Sequence, residues 1–430
     1  MKFTAAGDMI IQRRIQEDFE GFSELAPFIS EGDARFFNLE TTLNYEGECP
    51  SSQLSGGTYI RTNPEVLEDI KNFGFNMLSF NNNHVLDFSY EGLECTLDYV
   101  DESGFVHAGV GRNLAEASAP KYLDTKEGRV ALIAVNTTFS EYMMAGEQTP
   151  RVMGRPGING LRTSQHIELP QEDIDVIKRI AKETNINASR EIIRGEGYLL
   201  PLKDNEAEFG EMRFIAGEKA KVVTTLNKND MERIEKAIYE AKLQADYILI
   251  SVHSHQLSGN KKENPSEFLK EFAHRCIDAG AHAIIGHGPH LLRPIEIYKE
   301  CPIFYSLGDF ILQLYNIELA PNEFFEKYGL NAATDTVHGL LKTRSKDFTV
   351  GLMEDRRMFM TVVPLWECEN GKLKSLRLMP CEGMMSGNKS QIGLPRRTDG
   401  KDIAAYLKEM CEPYGTEIIL EDDGIITCKW

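Results

Sequence analysis

The stretch 281-AHAIIGHGPHLLRPIEIYKECPIFYSLGDF-310 decides how the rest of the chain is read. Ala283-Ile284-Ile285 is a short apolar run of the kind a fully buried parallel strand needs, and Gly286 closes it. His287 and His290 follow, separated by Gly288-Pro289, a pair that forces a tight turn. Ile303 to Ser306 forms a second apolar strand, which runs into Leu307-Gly308-Asp309. Open α/β sheets collect ligands at the carboxyl ends of their strands, and a stiff turn there lowers the entropy cost of presenting two imidazoles. Histidine is a favoured ligand of borderline metals, so the pair reads as metal-binding or catalytic. Two surface-loop histidines would give the same local pattern.

Working outward, the same design recurs. Lys2 to Ala6 predicts a strand ending at Gly7-Asp8, and Ala34 to Phe37 one ending at Asn38-Leu39-Glu40. Asn76 to Phe80 ends in Asn81-Asn82-Asn83-His84, and Tyr247 to Val252 in His253-Ser254-His255. Helical patterns lie between them, over Pro64 to Asn72, Tyr90 to Ser103, Asp230 to Ala245 and Ser266 to Asp278. Strand–helix alternation gives parallel strands whose carboxyl ends share one edge, so these polar endings should converge on one crevice. Singly, each has a plain structural reading as a turn, a helix cap or an Asx-turn. The repetition is the signal.

From about 140 to 217 the pattern loosens around one helical candidate near Pro170 to Lys182, and reads as an insertion or lid. The predicted organisation is a domain over 1–345 carrying that insertion, with an α+β extension over 346–430 packing on the core.

Composition narrows the function classes. The 47 basic and 66 acidic residues give a net charge of −19, which argues against a nucleic-acid surface and against docking on anionic lipid. A small-molecule or peptide-like anionic substrate must then be held by a local cation or metal. The 8 cysteines include no C-x-x-C pair and read as reduced thiols of a cytoplasmic protein. The N-terminus shows no signal-peptide pattern, and no window approaches the roughly 20 apolar residues of a membrane span. The expectation is a soluble protein without a membrane anchor.

The motifs GDM, FNLETTL, SFNNNHVLDF, SVHSH, GHGPH and IFYSLGDF, in this order, resemble the CapA family of bacterial poly-γ-glutamate capsule synthesis proteins. GRPGINGLR at Gly154 to Arg162 is similar to a segment found in part of that family. The family in turn looks like a branch of the calcineurin-like metallophosphoesterase superfamily. The resemblance implies an α/β fold, a four-layer α/β/β/α sandwich with a di-metal centre at the strand ends. Residue by residue, it implies Asp8, Glu40, Asn83, His253, His287 and His290 as metal ligands. Glu40 stands where the superfamily usually has a bridging aspartate. His84 matches the histidine that contacts the leaving group, with Asp87 orienting its ring. Three departures stand out: Met9-Ile10 replace the first motif's second ligand, leaving room for His255 to substitute; Gly288-Pro289 stand where the last motif has one spacer, which leaves open which of His287 and His290 meets which ion; and Asp309 stands where the family more often has asparagine.

A mixed Asp, Glu, Asn and His shell suits one or two Mn, Fe or Zn ions better than Mg. The expected chemistry is phosphoester hydrolysis by a metal-bound hydroxide, with His84 assisting the leaving oxygen. Arg155, Arg162 and His255 are the candidate substrate-binding residues, since guanidinium matches phosphate or carboxylate bidentately; a solvated loop would account for the two arginines equally well. Two alternatives stay open: hydrolysis or transfer at a γ-glutamyl amide in capsule metabolism, or a non-catalytic scaffold in a synthesis complex.

Overall fold

The structure, a computed structural model, describes residues 1–430 except Leu54 and Gly56. The chain divides into two compact units, Met1–Leu161 with Asp230–Trp430, and Arg162–Asn229.

The first unit is α/β. Strands β1 (Lys2–Ile10), β2 (Ala34–Leu39), β3 (Met77–Ser79) and β4 (Val106–Ala108) run parallel, linked through helices α1 (Glu20–Ile29), α2 (Val66–Lys71) and α3 (Ser89–Ser103). A second sheet follows: β5 (Lys121–Thr125), β6 (Gly128–Asn136), then, after helix α4 (Lys228–Lys242), β7 (Tyr247–His253). Helix α5 (Glu267–Ala279) leads to β8 (Ala283–His287), β9 (Ile295–Tyr298) and β10 (Cys301–Phe304). Its order is β9-β10-β8-β7-β6-β5, with β6, β7, β8 and β10 parallel. The chain then returns to the first sheet through β11 (Asp309–Leu312), helix α6 (Val337–Arg344), β12 (Met360–Glu369) and β13 (Lys372–Gly383).

Period-two burial explains the layering. Phe3, Ala5, Phe36 and Met77 face one way and pack with Val130, Leu132, Leu249 and Ile285 of the second sheet. Their neighbours Ala6, Phe37 and Leu78 face the other way, onto Leu25, Ile70, Leu93 and Leu97 of the first three helices. On the far side of the second sheet α4 buries Met231, Ile234 and Ile238, and α5, which packs against β8, buries Phe268, Leu269 and Phe272. The result is helix, sheet, sheet, helix.

Strand β1 runs past Ala6 to Ile10, so Gly7 and Asp8 lie inside it and not beyond its end. The cause is tertiary: one edge of β1 is shared lengthwise, with β12 pairing antiparallel at Lys2 to Thr4 and β11 pairing parallel at Asp8 to Ile10. Residues after 346 thus supply strands of the first sheet.

The second unit has its own small fold. Strands Glu206–Phe209, Met212–Ala216, Thr163–Leu169 and Lys221–Leu226 form a sheet in that order, with helices Gln171–Thr184 and Ala188–Gly195. Ile174, Ala207 and Phe214 form its core, and Glu208 pairs with Arg190 and Arg194. Where a loosened pattern reads as an insertion or lid, short strands fold: their alternation is blurred by buried Glu206 and Glu208 and by exposed Met212 and Val222. No helix among the described residues is long and apolar enough to cross a membrane.

Candidate metal centre

Register brings the strand ends together. Across the first sheet Asp8 lies opposite Asn38 on one side and Asp309 on the other. Across the second, His253 lies opposite Asn136 and His287. The His253 row lies at the carboxyl ends of β6, β7 and β8, while the Asp8 row crosses the end of β2, the inside of β1 and the start of β11; the facing of the sheets turns the two rows into one cluster.

Backbone approach makes the Asp8 row possible. A Cβ on Gly7 would fall 1.8 Å from the Gly308 carbonyl oxygen, so only glycine lets the two segments touch where Asp8 N–H donates to that oxygen at 3.1 Å. The His287 turn has the same logic. Gly288 has φ +115°, and a Cβ there would meet Ser254 N at 3.0 Å and the His253 ring at 3.2 Å. His290 itself is left-handed, with φ +60°, a conformation costing a non-glycine residue roughly 1–2 kcal/mol.

Asp8 is fully buried. Asn38 Nδ2 donates to its Oδ1 at 2.6 Å and Gly288 N–H to its Oδ2 at 2.7 Å. His287 Nδ1 is 3.4 Å and His253 Nδ1 3.8 Å from Asp8 Oδ1. Burial pushes its carboxyl up, but the hydrogen bond and charge of His287, with the charges of His253 and His290, outweigh this and hold it below the usual range. Glu40 differs: neither carboxylate oxygen has a hydrogen-bond donor although both are buried. His253 Nε2 lies 3.8 Å and His84 Nε2 4.0 Å from Oε1. Burial, then the charges of Asp8 and Asp309, raise Glu40 well above 4.5. Asp309 Oδ1 accepts from or shares a proton with His290 Nδ1 at 3.0 Å, while its Oδ2 is buried and unpartnered. Burial lifts Asp309 to about 6 against the pull of His290. His290 is itself raised, because Asp309 outweighs the burial that lowers it.

The imidazoles form a chain. His253 Nδ1 is 2.9 Å from His287 Nδ1, and its Nε2 is 2.8 Å from Asn83 Oδ1 and 3.1 Å from His255 Nε2. Burial drives His253 and His255 well below 6.5, so both are neutral donors of a lone pair. Ser251 Oγ holds His287 Nε2 at 2.7 Å, which leaves Nδ1 facing Asp8. Three overlapping donor groups result: Asp8, His253 and His287; Glu40, His253 and His255; Asp8, Glu40, His290 and Asp309. The two histidines of the 287–290 turn serve different groups.

This donor set fits divalent cations. Buried carboxylate oxygens without donors are costly unless a positive charge meets them, and Glu40 and Asp309 present three such oxygens within the cluster. The residues that would hold ions are those of the three groups, with Asn83 beside His253.

His84 sits at the margin. Asp87 Oδ2 holds its Nδ1 at 2.7 Å and also accepts Ile60 N–H at 2.8 Å, so Nε2 is the ring nitrogen left toward Glu40. The Asn-rich ending is more than an Asx-turn. Asn82 Nδ2 donates to Leu39 O while its Oδ1 accepts His84 N–H, and Asn81 Nδ2 bridges Ala134 O and Asn159 O. These bonds fix the loop to both sheets.

Arg155 is exposed and donates to Met144 O at 2.9 Å, without a recorded contact to the cluster. Arg162 belongs to the second unit. His255, expected at the substrate, lies among the metal donors. Residues given no role by the sequence include Asn38, Ser251 and Arg293. Arg293 is fully buried, pushed down to about 10 by that burial, and donates to Lys262 O, Ser254 O and His255 O. It braces the loop carrying His253 and His255. Its signal was a lone arginine inside the apolar run LLRPIEI.

Comparison with known proteins identifies the family. Residues 2–314 match the family model described as bacterial capsule synthesis protein PGA_cap. The uncharacterized protein y4sH of Sinorhizobium fredii is 32% identical, over 97% of this chain and 91% of its own. The capsule biosynthesis protein CapA of Bacillus anthracis is 22% identical, over 72% of this chain and 59% of its own length. A phosphatase of Mycoplasma pneumoniae superimposes with a TM-score of 0.41 at 11% identity, covering 88% of this chain and 92% of that one, a likeness too slight to carry an argument. Because the matched segment runs from β1 past Asp309 and so contains every donor of the cluster, the chain belongs to the bacterial capsule synthesis protein PGA_cap family.

Proposed function

We propose that the chain is a metal-dependent hydrolase of the metallophosphoesterase kind, acting on a phosphoester at the rim where the two sheets end. The observation that carries this reading is Glu40, fully buried, with two unpartnered oxygens between Asp8, Asp309, His253 and His84. One or two divalent ions held there, of the Mn, Fe or Zn type, supply charge against a phosphoryl oxygen and acidify water.

The chain's own residues do the rest. Asp87 fixes the His84 ring through Nδ1, so a proton can pass from Nε2 to the departing oxygen, or a hydrogen bond from it can stabilise the charge that develops there. Ser251 and Asn38 hold His287 and Asp8 in place, which keeps the site ordered before substrate arrives. Arg293 fixes the His253–His255 loop from beneath.

The printed names of the Bacillus relatives, capsule biosynthesis and PGA biosynthesis proteins, favour a second reading in which the bond cleaved or transferred is a γ-glutamyl amide. Purified protein is tested for metal content, then given Mn²⁺ with p-nitrophenyl phosphate, bis-p-nitrophenyl phosphate and a γ-glutamyl peptide. Turnover of a phosphate ester supports the first reading, and turnover of the peptide alone the second. Protein that neither carries nor responds to a transition metal sinks both.

A further inference from the structure

A cavity of about 120 Å³ opens beside the metal centre, and His84 and His290 form part of its wall. The rest is mostly carbon, from Ile10, Ile60, Leu314, Leu341 and Phe348. Cavities of roughly 150 Å³ with such walls accept benzene, whereas sites for drug-sized ligands run from about 300 Å³ upward. The space therefore suits one ring or a short branched chain.

One cation lines it. Arg344, at the end of α6, is half-buried, and no carboxylate lies within ion-pair distance of it among the described residues. Its recorded contact is with the Phe324 ring, whose centroid is 5.7 Å from the guanidinium carbon. In a chain of net charge −19 most arginines find acids, so one left over beside a cavity is informative. Phe348 reaches the cavity from a turn in which Lys346, Asp347 and Phe348 are all left-handed, with φ of 51°, 60° and 57°. Three successive non-glycine residues held this way cost several kcal/mol by rough reckoning, which ties the ring's position to surrounding packing.

Resting on the reading of the metal centre as hydrolytic, we infer that this cavity binds the organic group of the substrate: a small, hydrocarbon-rich moiety of about one ring, bearing an acidic substituent that Arg344 meets. The bond to be cleaved then lies at His84, between this group and the ions.

The test uses the full chain. In EDTA, 4-fluorobenzoate and fluoroacetate are titrated against it by ¹⁹F NMR. The fluorobenzoate should bind at least about tenfold more tightly than fluoroacetate, and Arg344→Gln and Phe348→Ala should each weaken it by about tenfold. Equal binding of the two acids, binding of neither, or indifference to both substitutions overturns the inference. With Mn²⁺ present, phenylphosphonate should displace the fluorobenzoate. If fluorobenzoate binds as described but phenylphosphonate does not displace it, the cavity assignment stands and the phosphoester reading falls. If the two acids bind equally while phenylphosphonate still binds the Mn²⁺ form, the reverse holds.

Discussion

Replacing Glu40 with glutamine should stabilise the protein in EDTA and remove most of the stabilisation that metal gives it. Glu40 is fully buried, lacks donors, and is raised well above 4.5 by burial and by Asp8 and Asp309. A carboxyl raised above its unfolded value of 4.5 destabilises the fold as pH climbs past 4.5, by about 1.4 kcal/mol per pH unit until the folded value is reached. Below pH 4.5 both states are protonated and the cost vanishes; it grows as pH rises and levels off above the folded value. Glutamine carries no proton to lose, and its amide can donate to Asp8 or Asp309. In EDTA, Glu40→Gln should therefore be more stable than the parent at pH 7, with little difference at pH 4.5 and a gap that widens by about 1.4 kcal/mol per pH unit until the folded value is reached. Mn²⁺ at 100 times its Kd should stabilise the parent by about 2.7 kcal/mol. If the substitution weakens binding about a hundredfold, the same Mn²⁺ gives the variant only about 0.4 kcal/mol. Urea denaturation at both pH values, in EDTA and in Mn²⁺, measures all four terms. A variant less stable than the parent in EDTA, or one that Mn²⁺ stabilises equally, refutes the reasoning.

Other substitutions separate roles within the site. His84→Ala should lower turnover by about 10²–10⁴ with metal stoichiometry unchanged, checked by elemental analysis beside kinetics; full turnover would remove His84 from the mechanism. Ser251→Ala frees the His287 ring and should weaken Mn²⁺ binding by about 10–100-fold in calorimetry while leaving the fold intact by circular dichroism. Asp309→Asn keeps the volume and removes a charge; Mn²⁺ binding weakened by at least about tenfold is expected if Asp309 is a ligand, and unchanged binding would limit it to holding His290. Arg293→Met should destabilise the protein by roughly 3 kcal/mol or more, since three carbonyls lose their donor, and unfolding curves within 1 kcal/mol of the parent (about one hydrogen bond) would contradict that role.

The sequence by itself determined which residue types end which strands. Apolar runs such as Ala283 to Ile285 are dictated by burial on both faces, and glycine at 7 and 288 by backbones that admit no Cβ. Parallel topology sends such strand ends to one edge, and the resemblance to the family picked out Asp8, Glu40, Asn83, His84, His253, His287 and His290 among them. The tertiary structure alone decided the rest. Register set Asn38 and Asp309 on either side of Asp8, and divided His287 and His290 between different donor groups. It drew His255 in among the donors and gave exposed Arg155 the Met144 carbonyl. It also carried residues beyond 346 into the first sheet and folded the stretch between Arg162 and Asn229 into a unit of its own. These outcomes depend on contacts between residues far apart in the chain, and such contacts leave no periodicity in the local pattern that a strand or helix imprints on its own residues.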